Sequence, residues 1–173
     1  MPIHACYGGP LPAIKTVRLE ENIAEKVARL NRTTAARDMY DLAWLCGRGS
    51  LWSSLDKPLI RRLSVLKIWV DANGVSSAGG SWGPAHVGTA FNPEKWLRPR
   101  TAKEFDIEDI GALAVPKPKP ERLSEAVRDG FGFLAELDAE EVVIAQSNPR
   151  DRALALRLLA ELPDGRIDGI GLY

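Results

Sequence analysis

The chain has 173 residues, 45% hydrophobic and 27% charged, with a formal net charge of zero at pH 7, a composition that fits a folded soluble domain and excludes disordered and collagen-like classes. No stretch approaches the roughly 20 apolar residues of a membrane-spanning helix, and Met1 to Gly9 has neither a basic start nor an apolar run, so a cytoplasmic protein with no membrane partner is expected. With only Cys6, Cys46, His4 and His86, the sequence offers no disulfide framework and no metal-ligand spacing.

In chain order, Ala13 to Leu19 alternates Ile14, Thr16 and Arg18 against Lys15, Val17 and Leu19, a faint strand after the Gly8-Gly9-Pro10 turn. Helices fit Glu20 to Asn31, Thr34 to Cys46 and Pro58 to Ala72. The last carries Leu59, Leu63, Leu66 and Val70 at helical spacing and stops at Asn73-Gly74. Thr33 or Thr34 is expected to cap the second helix and Asp56 the third. Residues 73–92 hold five glycines and three serines and read as a long loop pinned by Trp82 and Phe91. Phe105 to Ala112 fits a short helix, and Val115-Pro116-Lys117-Pro118-Lys119-Pro120 an extended linker. Beyond it come Glu121 to Leu137, with Phe131, Phe133 and Leu134 on its core face, then Ala139 to Gln146 and Asn148 to Leu162. Asn148 is the expected cap and Pro163-Asp164-Gly165 the stop of the last helix. The expected fold is mainly α, a helical bundle with a small β remnant. A motif-bearing helical region with a short β start covers 1–114 and a C-terminal helical region covers 121–173, either side of the linker 115–120.

The first two helices place ionisable groups where apolar neighbours claim the core. Ile23, Val27 and Leu30 form one stripe with Lys26 at its edge, about 40° from Leu30. Asp38 and Asp41 share an arc with Leu42 and Leu45, while Arg37 points elsewhere. The short connection Asn31 to Thr34 makes the helices antiparallel neighbours, so Lys26 is expected within about 6 Å of the Asp38 or Asp41 carboxylate. Charges so placed need a partner or a charged ligand, which leaves an internal ion pair and a binding site as the two readings.

Ala24-Glu25-Lys26-Val27-Ala28-Arg29-Leu30 and Arg37-Asp38-Met39-Tyr40-Asp41-Leu42 resemble, in order and gap, the A-E-K-x-x-A-L and R-D-x-Y-D-L segments of the AbiEii/AbiGii nucleotidyltransferase-type toxins, a family that includes the mycobacterial MenT toxins. Phe91-Asn92-Pro93-Glu94-Lys95-Trp96-Leu97-Arg98-Pro99-Arg100 is similar to actinobacterial members. The resemblance implies the C-terminal half of an α+β nucleotidyltransferase toxin, in which Lys26, with Arg29, binds the nucleotide triphosphate. It further implies Asp41 as an active-site carboxylate, with Asp38 beside it. For the complete family it implies transfer of a nucleotide from an NTP to an acceptor such as tRNA, with Mg²⁺, and a cognate antitoxin as partner. Members carry an upstream Gly-Ser followed by Asp-x-Asp. Only 25 residues precede Lys26 here, and neither Gly49-Ser50 nor Gly80-Ser81 is followed by such a pair. The chain alone is therefore expected to bind nucleotide without transferring it. The alternative is a non-catalytic helical interaction module that keeps the Lys/Asp cluster as structure.

Charge is unevenly spread. Residues 1–103 hold fifteen Lys and Arg against eight Asp and Glu, and residues 104–173 the reverse. Lys57, Arg61, Arg62 and Lys67, with Lys95, Arg98, Arg100 and Lys103, are candidates for RNA phosphates, or else partners of the acidic C-terminal half. Trp44, Trp52, Trp69, Trp82 and Trp96 fit base stacking or half-buried anchoring, Cys46 a small core position, and His4 and His86 solvated loops.

Overall fold

Apolar residues at helical spacing organise the chain into helices that share one core. The computed structural model describes residues 17–33, 35–73, 76–77, 80–81, 90–99, 104, 110 and 118–163. Helix α1 (Leu19–Arg32) buries Ile23, Ala24, Val27, Ala28 and Leu30, and α2 (Ala36–Cys46) buries Met39, Leu42 and Leu45. A short helix α3 (Gly49–Ser54) buries nothing and leads into α4 (Lys57–Asn73). A two-residue antiparallel ladder, β1 (Ser76–Ser77) with β2 (Gly80–Ser81), pairs Ser76 with Ser81 and Ser77 with Gly80. Then come α5 (Pro93–Leu97), α6 (Pro120–Phe131), a 3₁₀ turn (Gly132–Ala135), α7 (Ala139–Ala145), a second 3₁₀ turn (Pro149–Asp151) and α8 (Arg152–Ala160). The described chain is mainly α, as expected.

Helix α4 is the spine, packed against α1 on one side and α7 on another. It therefore buries Ile60, Ser64, Val65, Leu66, Ile68 and Trp69, a broader face than the Leu59, Leu63, Leu66, Val70 stripe read from the sequence. Leu63 and Val70 are only half-buried, because a helix with neighbours on two sides needs more than one apolar stripe. Helix α6 lies on α2, where Gly130 permits the approach: a Cβ there would sit 2.3 Å from Cys46 Sγ. Leu123, Val127, Phe131 and Leu134 join the same core as α1, α2 and α4, so both sides of the proline-spaced segment share it. Each large apolar side chain so buried contributes about 1.5–3 kcal/mol of transfer free energy.

The termini explain where the elements stop. Asp56 Oδ1 accepts from Leu59 N–H at 3.0 Å and Asn148 Oδ1 from Arg150 N–H at 3.0 Å, the two expected caps. Helix α2 differs from expectation: it starts from Ala35 with no side-chain cap, and Thr33 instead ends α1 through its N–H on Arg29 O. Thr34 lies outside the described residues, as do most of the expected strand at 13–19 and the helix at 105–112, although Leu19 opens α1 and Ile110 is buried. Buried Asn31 fixes the segment before α5. Its Nδ2 donates to Ala90 O at 2.9 Å and its Oδ1 accepts from Asn92 N–H at 2.8 Å, while Phe91 N–H donates to Ala145 O. Phe91 is thus buried as the anchor expected of it, and Trp82 is outside the described residues. Ser147 takes a left-handed backbone, φ 54°, as the chain leaves α7, and its carbonyl accepts from Asn73.

Candidate functional site

The apolar stripes of α1 and α2 face each other, and that pairing brings their charged edges to one seam. Lys26 Nζ lies 2.6 Å from Asp41 Oδ2 and 3.5 Å from Asp38 Oδ1, and Arg29 Nη2 lies 2.6 Å from the same Asp38 oxygen. The expected approach of Lys26 to the Asp38 or Asp41 carboxylate therefore holds, and Lys26 reaches both. Asp38 is the most enclosed member, with 7% of its side chain exposed; Lys26 keeps 16%, Asp41 36% and Arg29 44%. Position explains the gradient, since Asp38 sits in the first turn of α2 on the core side, where the helix dipole also favours a carboxylate.

The seam opens into a cavity of about 460 Å³ lined by Lys26, Arg29, Ala35, Arg37, Asp38 and Asp41. Arg37 is a correction to the sequence reading, which turned it away from the others. Its exposed side chain reaches the cavity and has no ion-pair partner among the described residues. The lining thus holds three cations against two carboxylates. The uncapped first turn of α2, beginning at Ala35, adds partial positive charge to the same wall. An anion entering here meets a net positive surface on which Lys26 and Arg29 are already held in place by carboxylates.

The basic residues of α4 do something else. Arg61 Nε donates to Glu141 Oε2 at 2.7 Å, Arg62 Nη2 to Asp138 Oδ2 at 2.8 Å, and Lys67 lies within 3.5 Å of both Glu21 and Glu25. Of the two readings of this face, pairing with the acidic C-terminal half is observed for Arg61 and Arg62, whose acids are Glu141 of α7 and its N-cap Asp138, whereas Lys67 differs and pairs with α1. Lys57 lies over the Trp52 ring at 5.3 Å and Arg98 pairs with Glu104. Arg100 and Lys103 fall outside the described residues.

The tryptophans divide too. Trp96 and Trp69 are buried, and Trp52 packs on Phe131 with ring centroids 5.0 Å apart. Trp44 alone among those described keeps its ring exposed, with Arg48 stacked over it at 4.0 Å. Half-buried Cys46 behaves as a packing residue, its thiol pushed up to about 11 chiefly by burial. Sequence reasoning missed Asn31 and Glu141. For Glu141 a signal existed, because Asp138-Ala139-Glu140-Glu141 has the spacing of a capping box. No described helix is long and apolar enough to cross a membrane.

A family model described as nucleotidyl transferase AbiEii toxin, Type IV TA system, matches residues 2–168. Among solved structures, the chain is similar to MenT4, a nucleotidyltransferase toxin from Mycobacterium tuberculosis H37Rv, with 34% identity and a TM-score of 0.73. That match covers 92% of this chain and 50% of the other, so the chain spans about half the length of the structure it resembles. No curated protein matches it. The chain belongs to the AbiEii nucleotidyl transferase toxin family.

Proposed function

We propose that the α1–α2 seam is the nucleotide-holding part of a nucleotidyltransferase toxin site. Lys26 and Arg29 bind the triphosphate, Asp41 serves as an active-site carboxylate, and Asp38 holds both cations in position. The observation that carries this reading is the cavity into which Lys26, Arg29 and Arg37 converge, Arg37 having no ion-pair partner among the described residues. Triphosphate oxygens accept charge-assisted hydrogen bonds from all three, and preformed cations lose little freedom on binding. In the full reading a nucleotide passes to an RNA acceptor such as tRNA, in the cytoplasm, and a cognate antitoxin restrains the activity. Mg²⁺ is implied by the family, but these residues alone do not fit it. Among the described residues no group of three or more His, Cys, Asp or Glu is arranged so that it could hold a metal ion, and both seam carboxylates already accept from cations.

The test is titration calorimetry of the chain with NTPs. Lys26→Ala is expected to weaken binding at least about tenfold while the melting temperature barely moves. A specific observation favours a second reading, an interaction module with a structural cluster, because Lys26 and Arg29 each already have a carboxylate partner. In that case wild type binds no NTP, and Lys26→Ala lowers the melting temperature by several degrees, since it strips two carboxylates of a partner.

A further inference from the structure

The exposed face of α2 continues past the cavity. Arg37, Asp41, Trp44 and Arg48 are spaced by four, three and four residues, which places the first three within a narrow arc of the helix and Arg48 just beyond its C-terminal end. Arg37 and Asp41 line the cavity, Trp44 is 46% exposed, and the Arg48 guanidinium covers part of its ring at 4.0 Å. The other described tryptophans have packing partners: Trp69 Nε1 donates to Asn148 O, Trp52 contacts Phe131 and Phe133, and Trp96 is fully enclosed. Among the described residues Trp44 has only the Arg48 guanidinium against its ring, and the rest of that ring faces water one turn beyond Asp41, which lines the cavity.

We propose that Trp44, with Arg48 against it, is the stacking platform for the base of a nucleotide whose phosphates occupy the Lys26–Arg29–Arg37 cavity. The proposal rests on the reading of Lys26 and Arg29 as phosphate ligands. Helix geometry supports the span: Arg37 to Trp44 is seven residues, ~10 Å along the axis, the reach of one nucleoside triphosphate. Charge supports the occupant. Cations flank the ring on its own helix face, an aromatic plane and a guanidinium plane both stack on bases, and stacking of this kind tolerates any of the four. Asp41, between the phosphate end and the ring, then lies beside the sugar and the reacting phosphates, where an active-site carboxylate belongs.

The experiment measures Kd by calorimetry for ATP, GTP, CTP, UTP, inorganic tripolyphosphate and a single-stranded RNA ending in CCA, on wild type, Trp44→Ala, Trp44→Phe and Lys26→Ala. Melting curves verify that the exposed substitutions leave the fold intact. The expected result is that NTPs bind more tightly than tripolyphosphate and that Trp44→Ala removes this excess, a loss of roughly tenfold. Trp44→Phe keeps most of it, and tripolyphosphate ignores position 44 while depending on Lys26. NTP affinity unchanged in Trp44→Ala overturns the platform, whether or not RNA binding falls instead, and leaves the Lys26 reading standing if tripolyphosphate still needs the lysine. NTP binding that needs Trp44 and not Lys26 supports the platform and removes the lysine's role. Wild type that binds no NTP removes both.

Discussion

Two seams of this molecule are built from the same charges and arrive at different ends. Between α1 and α2, Lys26 and Arg29 meet Asp38 and Asp41; between α4 and α7, Arg61 and Arg62 meet Asp138 and Glu141. In the second seam the carboxylates also serve the backbone. Asp138 Oδ1 accepts from Glu140 N–H and Glu141 N–H, and Glu141 Oε2 accepts from Asp138 N–H at 3.0 Å, closing a capping box on α7 with Glu141 only 1% exposed. In the first seam no carboxylate caps anything, exposure rises from 7% at Asp38 to 44% at Arg29, and a third cation faces the opening. An ion cluster woven into backbone hydrogen bonds holds a fold together. One whose partners are only other side chains, at the mouth of a cavity, can exchange a carboxylate for a ligand.

The largest test of that contrast is stability. Glu141→Ala leaves Arg61 and Arg62 without their enclosed partner and removes one arm of the capping box. A loss of about 3–5 kcal/mol is expected, visible as a fall of roughly 10 °C in the melting temperature by circular dichroism. The same substitution at Lys26 is expected to cost far less. Equal losses at the two positions would mean that both seams are structural and that the contrast is empty.

The sequence carried the first seam better than the second. Helical phase puts Lys26 beside Leu30 and Asp41 beside Leu45, and a short connection leaves little choice but antiparallel packing, so their meeting is a local consequence. Arg37 was misplaced although helical phase sets it one turn before Asp41, about 40° away on the same arc, because grouping Asp41 with the apolar residues alone left out this neighbour. Whether Arg61 and Arg62 face solvent depends on α7, some 80 residues later in the chain, docking on α4; no local pattern encodes that contact. Asn31 bridges Ala90 and Asn92 for the same long-range reason. The β1–β2 ladder is built of Ser and Gly, which have weak strand preference, and α3 buries no side chain, so neither left a periodic signal.

Acid separates the seams more gently. Burial pushes the Asp138 carboxyl up, but the Glu141 N–H, the Arg62 guanidinium and the Glu140 N–H outweigh it and hold it below the usual carboxylate value. A depressed folded-state value means that the unfolded chain takes the proton more readily. The stabilisation is therefore complete above the ordinary carboxylate range near pH ~4 and is lost as pH falls through the folded value. Asp138→Asn keeps a good capping side chain and removes the charge. Urea midpoints measured from pH 7 down to pH 2 should show wild type ahead of this variant by a constant margin above about pH 5, with the margin closing below about pH 4. A margin that is unchanged at the acid end would show that the Arg62 pairing contributes nothing.

The smallest effect on stability is expected at Asp41, and it is the sharpest probe of the open seam. Asp41 keeps 36% of its side chain in solvent and makes its 2.6 Å contact to Lys26 without holding any backbone group, so Asp41→Asn should cost under about 1 kcal/mol, as partly exposed pairs do. Its effect on binding has the opposite sign. Removing a negative charge beside Lys26 leaves the ammonium to the ligand and lowers repulsion of the phosphates, so affinity for NTP in the presence of a chelator should rise a few-fold. Matched melting curves and calorimetry on the same preparation give both numbers. A rise in affinity with little change in melting marks Asp41 as a group poised over a ligand. A large fall in melting with no gain in binding would make it one more strut, like Glu141.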